Sequence, residues 1–330
     1  MPLRSTLAWV IGRGGLLGSR AEALLPHELS GATCWIPDPP KFSWEDPTRL
    51  SKELDRATES FAGEVRRGDS SWVVLWCAGA GGIGTPTQAF ETESTALRQL
   101  VDRLGASLAD PEPARQGLFL LSSSAGGVYG DNPEVPLTED SRCSPISDYG
   151  RNKLGQEEFV LRWAGSRPNV SCLVARLSNL YGPGQNLARP QGLIAQLSRS
   201  IVHRQPVHIY VPLDTLRDYL FVDDAARHLL RILGRLHETL PSGRLVKIFA
   251  AGLSISIAGI IGIFARISKR PPRIVCMPHA RHRQQPLRLQ FRSRRALDEG
   301  APPMTDLTAG IHAVLQHHLA LYQQGRLPAR

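Results

Sequence analysis

A glycine-rich turn between an apolar segment and an amphipathic one constrains the fold of this chain more than any other stretch. Leu7–Ile11 has the length and composition of a buried strand, and Gly12, Gly15 and Gly18 follow it in a G-x-x-G-x-x-G spacing. A helical apolar pattern begins after Gly18. Such a turn lets the backbone approach a pyrophosphate, beside the amide donors and positive dipole end of the helix. The sequence therefore predicts a dinucleotide site on an α/β sheet.

The second informative stretch runs from Gly117 to Lys153. It opens with an apolar run that predicts a central strand, and three serines follow at the carboxyl end of that strand, where open α/β sheets bind ligands. Tyr149 and Lys153 are four residues apart, which puts them one turn apart on one face of the helix predicted there. A free phenol has a pKa of about 10, and a nearby ammonium favours the phenolate. With a serine hydroxyl, these groups predict proton transfer beside a carbonyl or alcohol.

Several motifs in this stretch resemble the extended short-chain dehydrogenase/reductase family, particularly its nucleotide-sugar epimerases and dehydratases. They are the three serines, Val128-Tyr129-Gly130, a Pro-x-x-Glu and a Tyr-x-x-x-Lys. The resemblance implies a proton relay formed by Ser124, Tyr149 and Lys153. Ser123 is the alternative serine, because the spacing from the serines to Val-Tyr-Gly is one residue longer than the commonest family spacing.

The same resemblance implies a nicotinamide cofactor. The positions implied to bind it are Gly12, Arg13, Gly15, Leu16, Leu17 and Gly18 in the first turn, Asp38 after the second strand, Ala78 and Gly79 after the strand 72–77, and Tyr149 and Lys153. Asp38 lies about twenty residues past the glycine turn, as expected of a carboxylate that binds the adenosine ribose of NAD. Arg13 could instead meet the 2′-phosphate of NADP. The predicted cofactor is NAD(P), with NAD favoured.

Two later segments resemble the part of the family that binds substrate. Arg176-Leu-Ser-Asn179-Leu-Tyr-Gly-Pro matches the family segment Arg-x-x-Asn-x-Tyr-Gly-Pro, and the stretch beginning at Arg217 matches Arg-Asp-Tyr-x-x-Val-x-Asp. The resemblance implies that Asn179 and Arg217 contact substrate together with Ser124, with Arg217 at a diphosphate, and that Arg176 is structural.

The implied fold is α/β: a Rossmann-type doubly wound parallel sheet with a smaller C-terminal α/β substrate domain. Alternating strand and helix patterns favour the same architecture independently. The expected cofactor domain is 1–176, rejoined by 217–238, and the expected substrate domain comprises 177–216 and 239–330. A homodimer through the helix 88–104 and the Tyr149 helix is a family expectation. Where family members often carry an Asn early in the helix 88–104, this chain has Glu91, Thr92 and Glu93.

Composition excludes several other classes. The 330 residues are 42% apolar with short, interrupted apolar segments, which excludes disorder and collagen and argues against a membrane partner. Ala250–Ile267 is too short for a membrane span and predicts a strand followed by a buried helix. No signal peptide precedes the first strand. Five scattered cysteines without a C-x-x-C pair indicate reduced thiols in the cytoplasm and argue against a metal site.

The net charge of +9 is concentrated in the arginine-rich segment 266–295. A solvated basic face is the favoured interpretation, a basic pocket for a diphosphate comes second, and nucleic acid comes third. No aromatic-interleaved patch accompanies these charges, so a nucleic-acid partner is not expected.

The leading functional hypothesis is an NAD(P)-dependent enzyme that acts on a nucleotide-activated sugar as an epimerase or 4-keto reductase. Dehydratases of the family usually carry an Asp-Glu pair just after the catalytic Ser or Thr, where this chain has Ala125-Gly126-Gly127. Dehydration is therefore disfavoured. One alternative is a reductase of a lipid, steroid or flavonoid carbonyl. Another is a non-catalytic cofactor-sensing or RNA-binding protein, against which the presence of all three relay residues argues.

Overall fold

The computed structural model of the protein divides into two compact units. It describes residues 6–68, 70–79, 81–82, 85–108, 116–130, 132–188, 191–239, 243–277, 286–295 and 302–328, with only the backbone of 237–239. The first unit comprises Met1–Ser124, Asp148–Arg176 and Ala226–Lys247, and the second comprises Ala125–Ser147, Leu177–Ala225 and Ile248–Arg330. Residues 125–147 belong to the second unit, whereas the sequence predicted them in the first domain. The domain assignment itself stays a prediction.

Strands and helices alternate through most of the described chain. The strands are β1 (Thr6–Ile11), β2 (Ala32–Trp35), β3 (Ser71–Trp76), β4 (Gly117–Ser124), β5 (Val170–Leu177), β6 (Asn179–Tyr181), β7 (Val207–Ile209), β8 (Leu216–Phe221), β9 (Arg244–Phe249), β10 (Ser254–Ser256) and β11 (Ile274–Cys276). The helices are α1 (Leu16–Glu28), α2 (Pro47–Arg67), α3 (Thr87–Ser107), α4 (Ala125–Tyr129), α5 (Asp148–Gly165), α6 (Leu193–His203), α7 (Val222–Thr239), α8 (Ile257–Ser268) and α9 (Leu307–Gln323).

A six-stranded sheet forms the centre of the first unit, in the order β2-β1-β3-β4-β5-β9. The pairs β1–β2, β1–β3 and β3–β4 are parallel. Near-continuous apolar sequence suits strands buried on both faces, and β5 is buried along its whole length. The predicted Rossmann-type parallel sheet is thereby confirmed.

Helix α2 follows β2 and was not predicted from the sequence. Asp46 caps its N-terminus by accepting a hydrogen bond from the backbone N of Arg49 at 3.0 Å, and Pro47 occupies the first turn. Its buried face joins the main core through Leu50, Leu54, Ala57, Phe61 and Val65. The helical spacing of these residues was visible in the sequence, although charged residues separate them.

Two strand boundaries differ from the sequence-based expectation. The second strand ends at Trp35 and does not reach Asp38, because Pro37 has no N–H to donate to the sheet. The strand β4 continues through Ser124, so the three serines lie within it and not after it. Serines can occupy this buried strand because their hydroxyls find partners, as Ser123 does by donating to Glu157 at 2.5 Å.

The second unit holds two small sheets and a helical layer. In the order β10-β8-β6, β8 pairs antiparallel with β10 and parallel with β6, and β7 pairs parallel with β11. Helices α6, α8 and α9 pack over an apolar core that includes Tyr181, Leu197, Phe264 and Val314. No helix in the described ranges of the chain is both long and apolar enough to cross a membrane.

Candidate active site

The glycine turn joins β1 to α1 in a conformation that depends on two glycines. Gly12 has a φ of +86°, and a Cβ built on it would lie 2.5 Å from the backbone N of Ala78. A Cβ on Gly18 would lie 2.3 Å from the carbonyl oxygen of Gly12. Neither position accepts a side chain, so the turn stays close against the strand end after β3.

Gly15 has a different role in the same turn. It precedes α1 as the N-cap residue, has no side-chain cap and lies in extended conformation, and its N donates to the carbonyl oxygen of Gly12 at 2.8 Å. The first turn of α1 begins at Leu16 and contains no acidic residue, while Leu17 is buried. An uncapped helix N-terminus with no acidic residue in its first turn suits a pyrophosphate, so these residues fit a bound dinucleotide.

Ala78 and Gly79 follow β3 and lie between the glycine turn and Lys153. Ala78 lies against Gly12, as the close approach described above shows. A Cβ built on Gly79 would lie 3.9 Å from Nζ of Lys153. Four predicted residues from three separate stretches of sequence therefore form one continuous surface at the carboxyl ends of β1 and β3.

Lys153 is 4% exposed and makes a buried ion pair. Its Nζ donates to Oε1 of Glu93 at 2.8 Å and to the carbonyl oxygen of Ser122, in β4, at 3.4 Å. Burial by itself lowers the pKa of the Lys153 ammonium, but Glu93 and Tyr149 outweigh burial, and the pKa is raised above its ordinary value. Lys153 is therefore held as an ammonium at the end of the central sheet.

A polar network on α3 and α5 fixes this pair. Gln156 accepts from Nζ of Lys153 at 3.2 Å, and its Nε2 donates to Glu93 at 3.0 Å and to Ser94 at 3.1 Å. The Ser94 hydroxyl in turn donates to Oδ1 of Asn152 at 2.6 Å. Glu93 was noted in the sequence only as a departure from the family pattern. Its signal was its place on the apolar face of α3, three residues after the buried Phe90, where a carboxylate needs a partner.

Tyr149 is the second residue of α5, one turn before Lys153, and is half-buried. Its ring packs against Phe90 with 5.9 Å between ring centroids. It is close enough to Lys153 to favour the ammonium form electrostatically. The predicted Tyr–Lys pair is thus brought together, with the phenol on the more accessible side.

The three serines of β4 point alternately to the two faces of the sheet, as successive strand residues do. Ser123 donates to Oε1 of Glu157, and Nη2 of Arg176 donates to Oε2 of the same carboxylate at 2.7 Å. Ser124 lies on the opposite face and is less buried than Ser123. Ser123, the alternative serine, therefore hydrogen-bonds to the buried ion pair of Glu157 and Arg176. This ion pair is the kind of contact expected of a structural arginine.

At the adenosine end, Asp38 is exposed and lies three residues beyond the end of β2. Arg13 forms an ion pair with Glu22 of α1, in which Nε lies 3.0 Å from Oε2 and Nη2 contacts Oε1. The sequence analysis did not single out Glu22.

The two predicted substrate residues lie on paired strands of the second unit. Asn179, in β6, donates from Nδ2 to the carbonyl oxygen of Asp218 at 2.8 Å, which leaves its Oδ1 as an acceptor. Arg217, in β8, is 8% exposed and donates from Nη1 to the carbonyl oxygen of Leu216 at 2.8 Å. Burial lowers the pKa of the Arg217 guanidinium. Among the residues that the structure describes, Arg217 forms no ion pair.

The sequence of the chain places it in a known family. The model of the NAD dependent epimerase/dehydratase family matches residues 8–247, and the chain belongs to that family. This confirms the predicted family, the enzyme class and the dependence on a nicotinamide cofactor.

Curated relatives include both isomerases and a reductase. A UDP-glucose 4-epimerase of Mycolicibacterium smegmatis is 28% identical over 155 residues, which cover 46% of this chain and 49% of that protein. A dTDP-4-dehydro-6-deoxyglucose reductase of Escherichia coli is 32% identical over 106 residues, which cover 32% of this chain and 33% of that protein. The matched segments thus span half or less of the length of these relatives.

Solved structures share the fold over nearly the whole chain. MoeE5 in complex with UDP-glucuronic acid and NAD has a TM-score of 0.71 at 20% identity, over 95% of this chain and 98% of that one. RMD from Pseudomonas aeruginosa, complexed with NADPH, has a TM-score of 0.73 at 23% identity, over 96% of this chain and 100% of that one. At these identities the likeness concerns the fold alone.

Proposed function

We propose that the chain is an NAD(P)-dependent enzyme that acts on a nucleotide-activated sugar as an epimerase or 4-keto reductase. The observation that carries the proposal is the continuous surface from the glycine turn through Ala78 and Gly79 to Lys153, with Tyr149 one turn away. A dinucleotide held by the turn would extend along this surface toward the phenol. The two groups needed for coupled hydride and proton transfer would then meet at one place.

The proposed relay assigns each residue a separate task. The glycine turn with Ala78 and Gly79 would hold the nicotinamide cofactor, which would supply hydride-transfer chemistry at the sugar carbon. Tyr149 takes the proton of the sugar hydroxyl as the carbonyl forms, and gives it back when the hydroxyl re-forms. Ser124 hydrogen-bonds the same oxygen, and Lys153 is held as an ammonium one helical turn from the tyrosine.

For the second unit, we propose that Arg217 and Asn179 bind the nucleotide-sugar diphosphate. A guanidinium can donate two parallel hydrogen bonds to phosphate oxygens. Arg217 is buried without a carboxylate partner in the described chain, which is an expensive arrangement unless an anion completes it. Asn179 offers its free Oδ1 to a sugar hydroxyl.

Epimerase and reductase are the two activities that we retain. The curated relatives named above include one of each, and the residues after Ser124 form α4 from Ala125-Gly126-Gly127 and not from the acidic pair expected of a dehydratase. An epimerase regenerates its cofactor in every turnover, whereas a reductase consumes NAD(P)H. The two are therefore distinguished by their cofactor balance.

The test uses the purified full chain with UDP-glucose and a 4-keto nucleotide sugar as probes. Formation of the C4 epimer without a net change in absorbance at the NADH band, about 340 nm, identifies an epimerase. Stoichiometric loss of that absorbance with the keto sugar identifies a reductase. Neither reaction over a panel of nucleotide sugars, with turnover of a lipid or steroid carbonyl instead, would replace the substrate class proposed here.

The adjacent serines provide a matched pair of variants for the relay. Ser124→Ala should lower turnover while leaving the melting temperature nearly unchanged. Ser123→Ala should lower the melting temperature and leave turnover nearly unchanged, because it removes a buried hydrogen-bond partner of Glu157. Equal loss of turnover in both variants would remove Ser124 from the relay.

We also propose that the protein is a homodimer formed through α3 and α5. Light scattering of the purified protein tests this directly. A charge-reversing Arg98→Glu variant on α3, whose guanidinium lies 5.9 Å from the Phe159 ring of α5, should dissociate the dimer if these helices form the interface. A monomer in the unaltered protein contradicts the proposal.

A further inference from the structure

The adenosine end of the glycine turn carries an ion pair that the proposed function does not use. Arg13 directly follows Gly12, and its guanidinium contacts both carboxylate oxygens of Glu22. This is the bidentate geometry that an arginine otherwise uses to bind phosphate. The pair is partly accessible, with side-chain exposures of 29% for Arg13 and 21% for Glu22.

The pair lies beside β2. Glu22 is one turn past Gly18 on α1, and α1 packs against β2. Within β2, burial and the carboxylate of Glu22 raise the pKa of the Cys34 thiol, while Arg13 lowers it. Both charges therefore act on a residue next to the last one of the strand. In this class of fold the end of the second strand is where the adenosine ribose is bound.

Asp38 is poorly suited to the ribose role that its sequence position indicated. It is exposed and follows Pro37, beyond the end of β2 at Trp35. Glu22, by contrast, is held against Arg13 at the turn itself. Of the two carboxylates, Glu22 is the one that a group on the ribose 2′ position would meet together with Arg13.

We propose that Glu22 determines the choice between NAD and NADP. Its carboxylate occupies the guanidinium of Arg13 and repels a 2′-phosphate, so that the chain prefers NAD. The inference rests on the proposed function only in taking the glycine turn as the cofactor site. A partly exposed ion pair is weak, so the repulsion between like charges, more than the loss of Arg13, produces the discrimination.

The test measures dissociation constants of NAD and NADP by calorimetry, with no sugar substrate present. Glu22→Gln keeps the shape of the side chain and removes its charge. It should tighten NADP binding about tenfold or more while changing NAD binding little, since the repulsion is gone and Arg13 is free to bind the phosphate. Adding Arg13→Gln to that variant should remove only the smaller part of the gain, the part that the freed arginine supplies.

Two control variants separate the effect of Glu22 from that of a change in net charge and from that of Asp38. Glu59→Gln, at an exposed position of α2, makes the same change in net charge and should leave both constants unchanged. Asp38→Asn should leave the ratio of the two constants unchanged. A ratio that shifts with Asp38→Asn and not with Glu22→Gln overturns the inference and restores Asp38. An unaltered protein that binds NADP more tightly than NAD also overturns it, and one that binds neither overturns the proposed function as well.

Discussion

Two buried cations, one in each unit of the molecule, are treated in opposite ways. Lys153 and Arg217 are 4% and 8% exposed. Lys153 is neutralised by the carboxylate of Glu93 at 2.8 Å. Arg217 donates to a backbone carbonyl oxygen and, within the described part of the chain, has no carboxylate partner. The pKa is raised for Lys153 and lowered for Arg217 accordingly.

Two carboxylates near Arg217 in sequence, Asp218 and Asp224, bind other groups. Asp218 accepts hydrogen bonds from the backbone N of Ala251 at 3.0 Å and of Gly252 at 2.8 Å. Asp224 accepts from the backbone N of Thr305 at 2.6 Å and from its hydroxyl at 3.0 Å. Both acids brace loops of the second unit and do not neutralise the arginine.

This difference separates a charge that the fold stabilises from a charge that, in our proposal, a bound anion stabilises. A buried charge without a partner lowers stability, so it persists mainly where function needs it. Lys153 first stabilises the fold through its buried ion pair with Glu93, and any catalytic role comes in addition to that. The Arg217 guanidinium has no carboxylate partner among the described residues, so it could bind an anion without first breaking an ion pair.

The largest effect is expected from Lys153→Met. The substitution removes the ammonium that Glu93 binds at 2.8 Å, and breaking a buried ion pair typically costs about 3–5 kcal/mol. Urea denaturation should show this loss in the free energy of unfolding. The double variant Glu93→Leu/Lys153→Met should recover most of it, because apolar residues can replace a buried pair at little cost. A double variant no more stable than the single one would show that the pair is not coupled.

A smaller effect, on turnover only, is expected from Tyr149→Phe. The phenol hydroxyl is the proposed proton carrier, and general acid–base catalysis contributes at least ~10²-fold. Because Tyr149 is half-buried and its ring contact with Phe90 is kept, stability and cofactor affinity should stay near those of the unaltered protein. Near-native turnover at saturating substrate would falsify the relay.

For Arg217→Ala we expect weaker binding without loss of stability. A charge-assisted hydrogen bond contributes about 1.5–3 kcal/mol, so KM for a nucleotide sugar should rise by about one to two orders of magnitude. Inhibition by the free nucleoside diphosphate should disappear, while the melting temperature stays level or rises. Arg217→Lys, which keeps the charge but loses the planar fork, should recover part of the affinity. A lowered melting temperature with unchanged KM would assign Arg217 to the fold.

The sequence predicted what depends on local pattern. Apolar runs with glycine turns predicted β1, β3 and the turn at Gly12, and the four-residue spacing predicted that Tyr149 and Lys153 meet on one helix face. Glycines 12 and 18 could be predicted because a backbone contact requires them wherever this turn occurs.

The ionic partners could not be predicted in the same way. Lys153 and Glu93 are 60 residues apart, and their contact arises only when α3 packs beside α5. Glu22 is near Arg13 in sequence, yet its role depends on the position of β2. The partners of Asp218 and Asp224 are likewise supplied by loops distant in sequence, so the isolation of Arg217 is visible only in the folded unit.

A third buried basic side chain, His318, extends the comparison, because it is kept neutral in the second unit. The imidazole of His318, in α9, lies 2.8 Å through Nδ1 from the Ser198 hydroxyl of α6. Burial first, and then the neighbouring charges of His317, Arg199 and His203, lower the pKa of His318 to about 4. The unfolded chain therefore takes up this proton at a higher pH than the folded chain does.

The sign of the pH dependence follows directly. Stability from this group is complete above the ordinary histidine pKa of about 6.5 and falls as the pH drops toward 4, by at most ~1.4 kcal/mol per pH unit for one proton. Urea denaturation between pH 7 and 5 should give a flatter curve for His318→Gln than for the unaltered protein, with turnover at pH 7.5 unchanged. Parallel curves would mean that His318 protonates equally in both states. Burial would then have no effect on the pKa of His318.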